Sequence, residues 1–297
     1  MMSEAPLSRS RNPDNFIVPG QPLISFRNIR IGFEDGEVLR GVSFEVWPGE
    51  TKVLLGVTGS GKTLLLKMAA GLLRPDAGSV VVMGNDLGDM PETELLDFRR
   101  RLGFVFQEGA LFDSMTVAEN VSFRLREERM DESRIESQVR EALRFVELEE
   151  TMEKYPPELS GGMRRRVSIA RALVDHPALV LYDSPTAGLD PVTSQTIITL
   201  ILRGRDAQGV TSVLATHRVQ DAFGLANFKF DRSSGRVQRD GDNRGRAGGV
   251  APETHAEEAG ATNVVVLRDG NIYFEGPADD ILHTGDAYLK EFLASAE

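Results

Sequence analysis

Not one of the 297 residues is a cysteine, which excludes disulfides and thiolate metal sites. That absence says little about compartment. Long hydrophobic runs are missing too. The apolar stretches KVLLGV, SVVVM and ALVLY fall far short of the ~20 residues a membrane-spanning helix needs. The first stretch, MMSEAPLSRSRNPDNFIVPG, is polar and lacks the apolar core of a secretory signal. Positive charge is not in excess: the net charge of −11 argues against a nucleic-acid surface. No internal repeat is visible. Together these absences predict a soluble, cytoplasmic chain with a loose tail over residues 1–22 and no nucleic-acid partner. What is present is an ordinary 41% of apolar residues, enough for a sizeable core in one large domain or two small ones.

Patterned sequence begins near Leu23. LISFRNIRIGF and VSFEVWPGE alternate apolar and polar residues, as half-buried antiparallel strands do. TKVLLGV is nearly all apolar, the mark of a strand buried on both faces. KTLLLKMAAGLL reads as a helix ended by RPDAG, SVVVMG as a strand and PETELLDFRRR as a short helix. From about Thr116 to Tyr155 the pattern is helical and charged, and GGMRRRVSIARALVDHP is helical again up to Pro177. ALVLYD, VTSQTIITLILRGRDAQ and TSVLAT follow in strand–helix–strand order. Residues 231–262 are rich in Gly, Arg and acids and poor in large apolar side chains, which predicts a flexible surface insertion. NVVVLRDGNIYFEG predicts a hairpin turning at Asp269-Gly270, and ADDILHTGDAYLKEFLA a terminal amphipathic helix.

GVTGSGKT carries the chemistry. It follows a buried strand, opens a helix and fits G-x-x-x-x-G-K-[ST], a loop for phosphates. Gly56, Gly59 and Gly61 let the backbone bend so that amides point inward, with Val57, Thr58 and Ser60 between them. The helix N-terminus adds positive potential. Lys62 suits the outer phosphates of ATP, and Thr63 a magnesium ion. Asp183 ends an apolar strand expected beside this loop, where a carboxylate holds magnesium through its water shell. Taken alone, Asp183 would equally fit a helix cap or turn residue.

The ordered set then resembles the ABC-type ATPases. LSGGM, with Ser160, Gly161 and Gly162, looks like their signature motif, FVFQE supplies Gln107 like their Q-loop, AGLD ends in Asp190 like their D-loop, and ATHR supplies His217 like their switch histidine. Phe33 sits where the family places a ring under adenine. Lys62 and Ser160 lie 98 positions apart, and Asp183 and His217 lie 34 apart, as in the family. The resemblance implies an α/β fold: a P-loop NTPase, ABC-type nucleotide-binding domain over 23–297, with an antiparallel β subdomain and a helical subdomain over about 108–176. It also implies a head-to-tail homodimer in which one copy's Ser160–Gly162 closes the other's phosphate loop. Gln107 would touch magnesium and the attacking water, and His217 the γ-phosphate. Arg164 to Arg166 read as a solvated helix face. QEGALFDSMTVAENVSF, and Met163 where many relatives carry Gln, look more narrowly like the Mla/Mkl-type ATPases. That resemblance implies lipid movement with an MlaE-like membrane permease and an MCE-type lipid-binding protein, at the inner face of the cell membrane. Leu111, Phe112 and Met115 would then form an apolar socket for the permease, or else pack the subdomain core.

One position departs from the pattern. The family writes D-E-P, and this chain writes Asp183-Ser184-Pro185. Serine is a poor base at neutral pH and carries no charge. Loss of a positioned general base costs ~10²–10⁴ in rate. Three accounts remain open: ATP binding with slow hydrolysis, a substitute carboxylate such as Glu108, or a degenerate site paired with a different subunit. A transporter for another substrate, a non-transport ABC protein and an ATP-gated clamp are the competing functions.

Overall fold

The computed structural model describes Val18 and residues 20–240, 260–282 and 284–294. Most of the expected tail and residues 241–259 of the expected insertion lie outside these. In chain order the elements are β1 (Ile24–Phe33), β2 (Gly36–Val46), β3 (Thr51–Leu55), α1 (Lys62–Ala69), β4 (Ala77–Val82), β5 (Asn85–Asp86), α2 (Glu92–Arg99), β6 (Leu102–Val105), α3 (Val117–Glu127), α4 (Glu132–Phe145) and α5 (Gly161–Leu173). They continue with β7 (Leu179–Asp183), α6 (Pro191–Gln208), β8 (Thr211–Thr216), α7 (Val219–Asn227), β9 (Phe228–Asp231), β10 (Arg236–Arg239), β11 (Thr262–Arg268), β12 (Asn271–Pro277), α8 (Ala278–Leu282) and α9 (Ala287–Ala294).

The six-stranded sheet runs β12-β11-β3-β8-β7-β6. Its inner strands are parallel, and β12 pairs antiparallel with β11 at one edge. Apolar runs build it because both faces are covered. Along β7, Val180 and Tyr182 enter one core while Leu179 and Leu181 enter the other; β3, β8 and β11 alternate in the same way. One core joins the sheet to α3–α7, and the second joins it to α1, α2 and the antiparallel sheet β2-β1-β4-β5. The fold is therefore α/β with an antiparallel subdomain on one side and helices on the other.

The β11–β12 turn forms where expected. Asp269 and Gly270 both sit at positive φ (49° and 80°), the requirement of a two-residue hairpin turn. Other elements differ from expectation. β6, only LGFV, escaped the pattern because its glycine interrupts the apolar run. Gly103 is required there, since a Cβ would lie 2.6 Å from Ala172 O of α5. The terminal pattern is two helices, α8 and α9, rather than one. Asp286 explains the restart, accepting from Leu289 N at 2.9 Å as a cap. The segment read as an insertion begins inside a hairpin, β9–β10, pinned to α6 by Phe230 N donating to Asp206 Oδ2 at 2.6 Å.

Candidate nucleotide site

Parallel register decides which residues meet. Leu55 pairs with Thr216, Asp183 with Ala215, and Val105 with Tyr182. The chain therefore leaves four strands at one sheet edge, through Gly56, His217, Ser184 and Phe106. β8 lies between β3 and β7, so the strand carrying Asp183 is one removed from the strand feeding the Gly-rich loop. The carboxylate still reaches that loop's end: Thr63 Oγ1 donates to Asp183 Oδ1 at 3.0 Å.

The loop is shaped by its glycines. Gly61 has φ 97°, and a Cβ there would lie 2.4 Å from Leu39 Cδ2 of β2. Any larger residue would be strained at this φ and would have to displace the Leu39 side chain. Gly61 precedes α1 without a side-chain cap, which leaves first-turn amides to an outside acceptor. Inside the loop, Lys62 Nζ donates to Gly56 O at 2.8 Å, Val57 O at 2.7 Å and Ser60 Oγ at 3.2 Å. Burial lowers the Lys62 pKa to about 8, against an upward pull from the Asp183 carboxylate.

The Thr63 hydroxyl and Asp183 carboxylate place two hard oxygens side by side. Magnesium takes such donors when phosphates and water complete its shell. Among the described residues, no group of three or more His, Asp or Glu side chains could hold a metal alone. The donor set thus fits an ion that arrives with a nucleotide, and not a resident all-protein site.

Gln107 and Glu108 are exposed at the tip of a tight turn in which Gly109 N donates to Phe106 O at 2.9 Å. Helix α5 holds this turn. Arg165 donates to Phe106 O at 2.7 Å, and Arg171 to Ala110 O at 2.7 Å and Gly109 O at 2.8 Å. Burial depresses both guanidinium pKa values. Arg164 and Arg166 bond Leu159 O and Val146 O. The expected solvated arginine face is therefore wrong: long side chains reach past a helix surface to backbone carbonyls, which a spacing rule does not register.

Ser160 caps α5, its Oγ accepting from Met163 N at 3.2 Å, and Ser160 and Gly161 are exposed. Asp190 caps α6 by accepting from Thr193 N at 3.0 Å. Hydrogen bonds from Thr193 hold the Asp190 carboxyl below the usual range. Gly162 touches the same threonine, with its would-be Cβ 2.4 Å from Thr193 Cγ2. The signature and Asp190 are thus neighbours. Among the described residues, no hydrogen bond joins Ser160–Gly162 to Gly56–Thr63 within the chain. Phe33 ends β1 with 56% of its surface exposed, and His217 is exposed as well. Ser184 is half-buried at φ 46°, a strained conformation for serine, and its N–H donates to Ala215 O at 2.8 Å.

Two groups escaped the sequence reading. Asn120, fully buried, accepts from Phe112 N at 2.8 Å and donates to Phe112 O, Met115 O and Thr116 O at 3.0 Å. It fixes the turn on which Phe112 stands exposed against Phe123, ring centroids 5.0 Å apart; Leu111 packs on the core. Asp221 is 2% exposed on α7. Its signal was a carboxylate four residues before Leu225, on the apolar face.

Residues 39–187, which include the loop, Gln107, Ser160–Gly162 and Asp183, match the ABC transporter family. The methionine import ATP-binding protein MetN of Corynebacterium efficiens is 36% identical over 219 residues, 72% of this chain and 61% of that protein. The chain thus spans less than two thirds of that relative's length. The intermembrane phospholipid transport system ATP-binding protein MlaF of Haemophilus influenzae is 33% identical over 277 residues, covering 92% of this chain and 99% of that protein. A solved ATP-binding cassette, dimeric and bound to ADP and Pi after hydrolysis, superposes with a TM-score of 0.68 at 26% identity, covering 86% of this chain and 98% of its own. The chain belongs to the ABC transporter family, among its ATP-binding proteins.

Proposed function

We propose that the chain is the ATP-binding subunit of a lipid-moving ABC transporter. ATP sits with its phosphates in Gly56–Thr63 and its adenine on Phe33. A second copy closes over it with Ser160–Gly162, and the two copies form a head-to-tail homodimer. Lys62 and the α1 amides hold the phosphates, and Gln107 and His217 approach them from the same sheet edge. Magnesium, held by Thr63, Asp183 and Gln107, neutralises phosphate charge when bound. The observation that carries ATP binding is the Thr63–Asp183 contact at the end of the glycine loop. The lipid assignment rests on the end-to-end match with MlaF. The partners are an MlaE-like permease and an MCE-type lipid-binding protein, and the chain works peripherally on the inner face of the cell membrane. Phe112 and Phe123, exposed together beside the Gln107 turn, are the apolar surface offered to the permease.

Ser184 supports a second reading, a clamp that grips ATP and hydrolyses it slowly. Mg-ATP affinity, phosphate release and co-purification from membranes test the set. Absence of magnesium-dependent ATP binding overturns the first proposal. Co-purification with a permease that carries no lipid overturns the lipid assignment.

A further inference from the structure

Behind the proposed ATP site lies a closed polar network with no place in the phosphate chemistry. The Asp221 carboxylate accepts at Oδ2 from Thr186 Oγ1 at 2.6 Å and from Thr216 Oγ1 at 2.8 Å. Thr216 Oγ1 in turn accepts from Arg218 N at 3.0 Å. The Arg218 guanidinium donates to Thr186 O at 3.1 Å and Ser194 Oγ at 3.0 Å, and stands 3.9 Å from Asp221 Oδ1. Thr186, Ser194, Thr216 and Asp221 are all buried. Burial raises the Asp221 pKa, so the carboxylate is costly here and its hydrogen bonds partly offset that cost.

The position of the network matters. Thr186 lies two residues after Ser184 and four before Asp190, and Thr216 and Arg218 flank His217. α7 therefore ties together the two loops that bring Ser184, Asp190 and His217 to the sheet edge. We propose that Asp221, with Thr186, Thr216 and Arg218, forms a latch that makes the Ser184–Asp190 loop and the His217 loop one rigid unit. These four are positioning residues. They keep Ser184, Asp190 and His217 in register with one another. The catalytic part rests on the proposed ATPase function, whereas the latch itself does not.

The test uses the full chain and two near-isosteric variants, Thr186→Val and Asp221→Asn, with the double variant. In nucleotide-free protein, hydrogen exchange should speed up at Ala187 and Leu189, whose N–H groups bond Ser184 O and Thr186 O, and at Arg218, by tenfold or more. Exchange in β3 and β11 should not change. For phosphate release, kcat should fall about tenfold in each single variant, with the Mg-ATP Kd within twofold. The double variant should be no worse than the poorer single one, because both break one latch. If Asp221→Asn fails to fold, Thr186→Val alone carries both readouts. Unchanged exchange at Ala187, Leu189 and Arg218 overturns the latch. Faster exchange with equal losses in kcat and affinity, or additive losses, overturns its positioning role. A wild-type chain that binds no Mg-ATP overturns the proposed function, while exchange still reads the latch.

Discussion

Replacing Ser184 by Glu should accelerate ATP hydrolysis, and the structure allows the size to be worked out. Ser184 already occupies the left-handed region at φ 46°. Glutamate suffers the same backbone strain, so that cost cancels between variant and parent. The residue is half-buried, so the longer side chain has a way out towards solvent. Gaining a positioned general base is worth ~10²–10⁴ in rate, or about 2.7–5.5 kcal/mol. Ordering a glutamate side chain takes back roughly 1.5–2 kcal/mol. The net gain is about 0.7–4 kcal/mol, a rise in kcat of roughly threefold to a thousandfold. Ser184→Gln is the shape control: it adds the same bulk and no base, and should stay near the parent rate. The assay is phosphate release at saturating Mg-ATP, with affinity measured separately. If Ser184→Glu binds Mg-ATP normally and turns over within twofold of the parent, the missing base does not limit the rate. If Ser184→Gln accelerates as much, the effect is steric.

If Lys62 holds the phosphates as proposed, ATP affinity should depend on pH. Its pKa of about 8 in the free protein is low because burial disfavours the ammonium, and phosphates favour it, so binding raises that value. Affinity should be flat below pH 8 and fall by up to about tenfold per unit above it, while Lys62→Arg, always charged, removes the slope whatever its absolute affinity. A flat profile in the parent refutes the assignment of Lys62 to the phosphates. Arg171→Ala strips donors from Gly109 O and Ala110 O and should cost about 2–4 kcal/mol, read as a Tm lower by several degrees. Asn120→Ala takes the partner from Phe112 N and Met115 O, while Phe112 O and Thr116 O keep backbone donors, and should cost a similar amount by denaturant titration. It should also weaken permease capture. Unchanged capture removes the Phe112 turn from the docking surface.

What the sequence made legible was local. Gly56 to Thr63 is one continuous stretch in which Gly56, Gly61, Lys62 and Thr63 stand at the positions the loop requires, so eight letters suffice to expect it. The β11–β12 turn is as readable, since Asp269-Gly270 is one of the few residue pairs that favour two successive positive φ angles. β6 was not legible: four residues with a central glycine carry too little periodicity to outweigh the charged helix before them. Its glycine answers to Ala172, nearly seventy positions away, and no window contains both.

The same distinction explains the misreading of the arginines. A run of three basic residues at the start of a helix looks like a solvated face when each is weighed by its own position. Each guanidinium instead ends on a backbone carbonyl: Arg164 on Leu159 O just before its own helix, Arg166 on Val146 O at the end of α4, and Arg165 on Phe106 O, a partner fixed by the sheet. Val105 pairs with Tyr182, so β6 releases Phe106 directly beside Asp183, and α5 packs across β6. Only after that pairing does Arg165 reach Phe106 O, with its charge felt by both Asp183 and Glu108. The charges around Asp183 and Ser184 therefore come from the ends of two strands, β6 and β7, and from two helices, α1 and α5. With the glutamate gone, the carboxylate of Asp183 faces Lys62 and Arg165 without a second negative charge next to it in the chain. On the clamp reading proposed above, that arrangement supports triphosphate binding and leaves no carboxylate at position 184 to draw a proton from water.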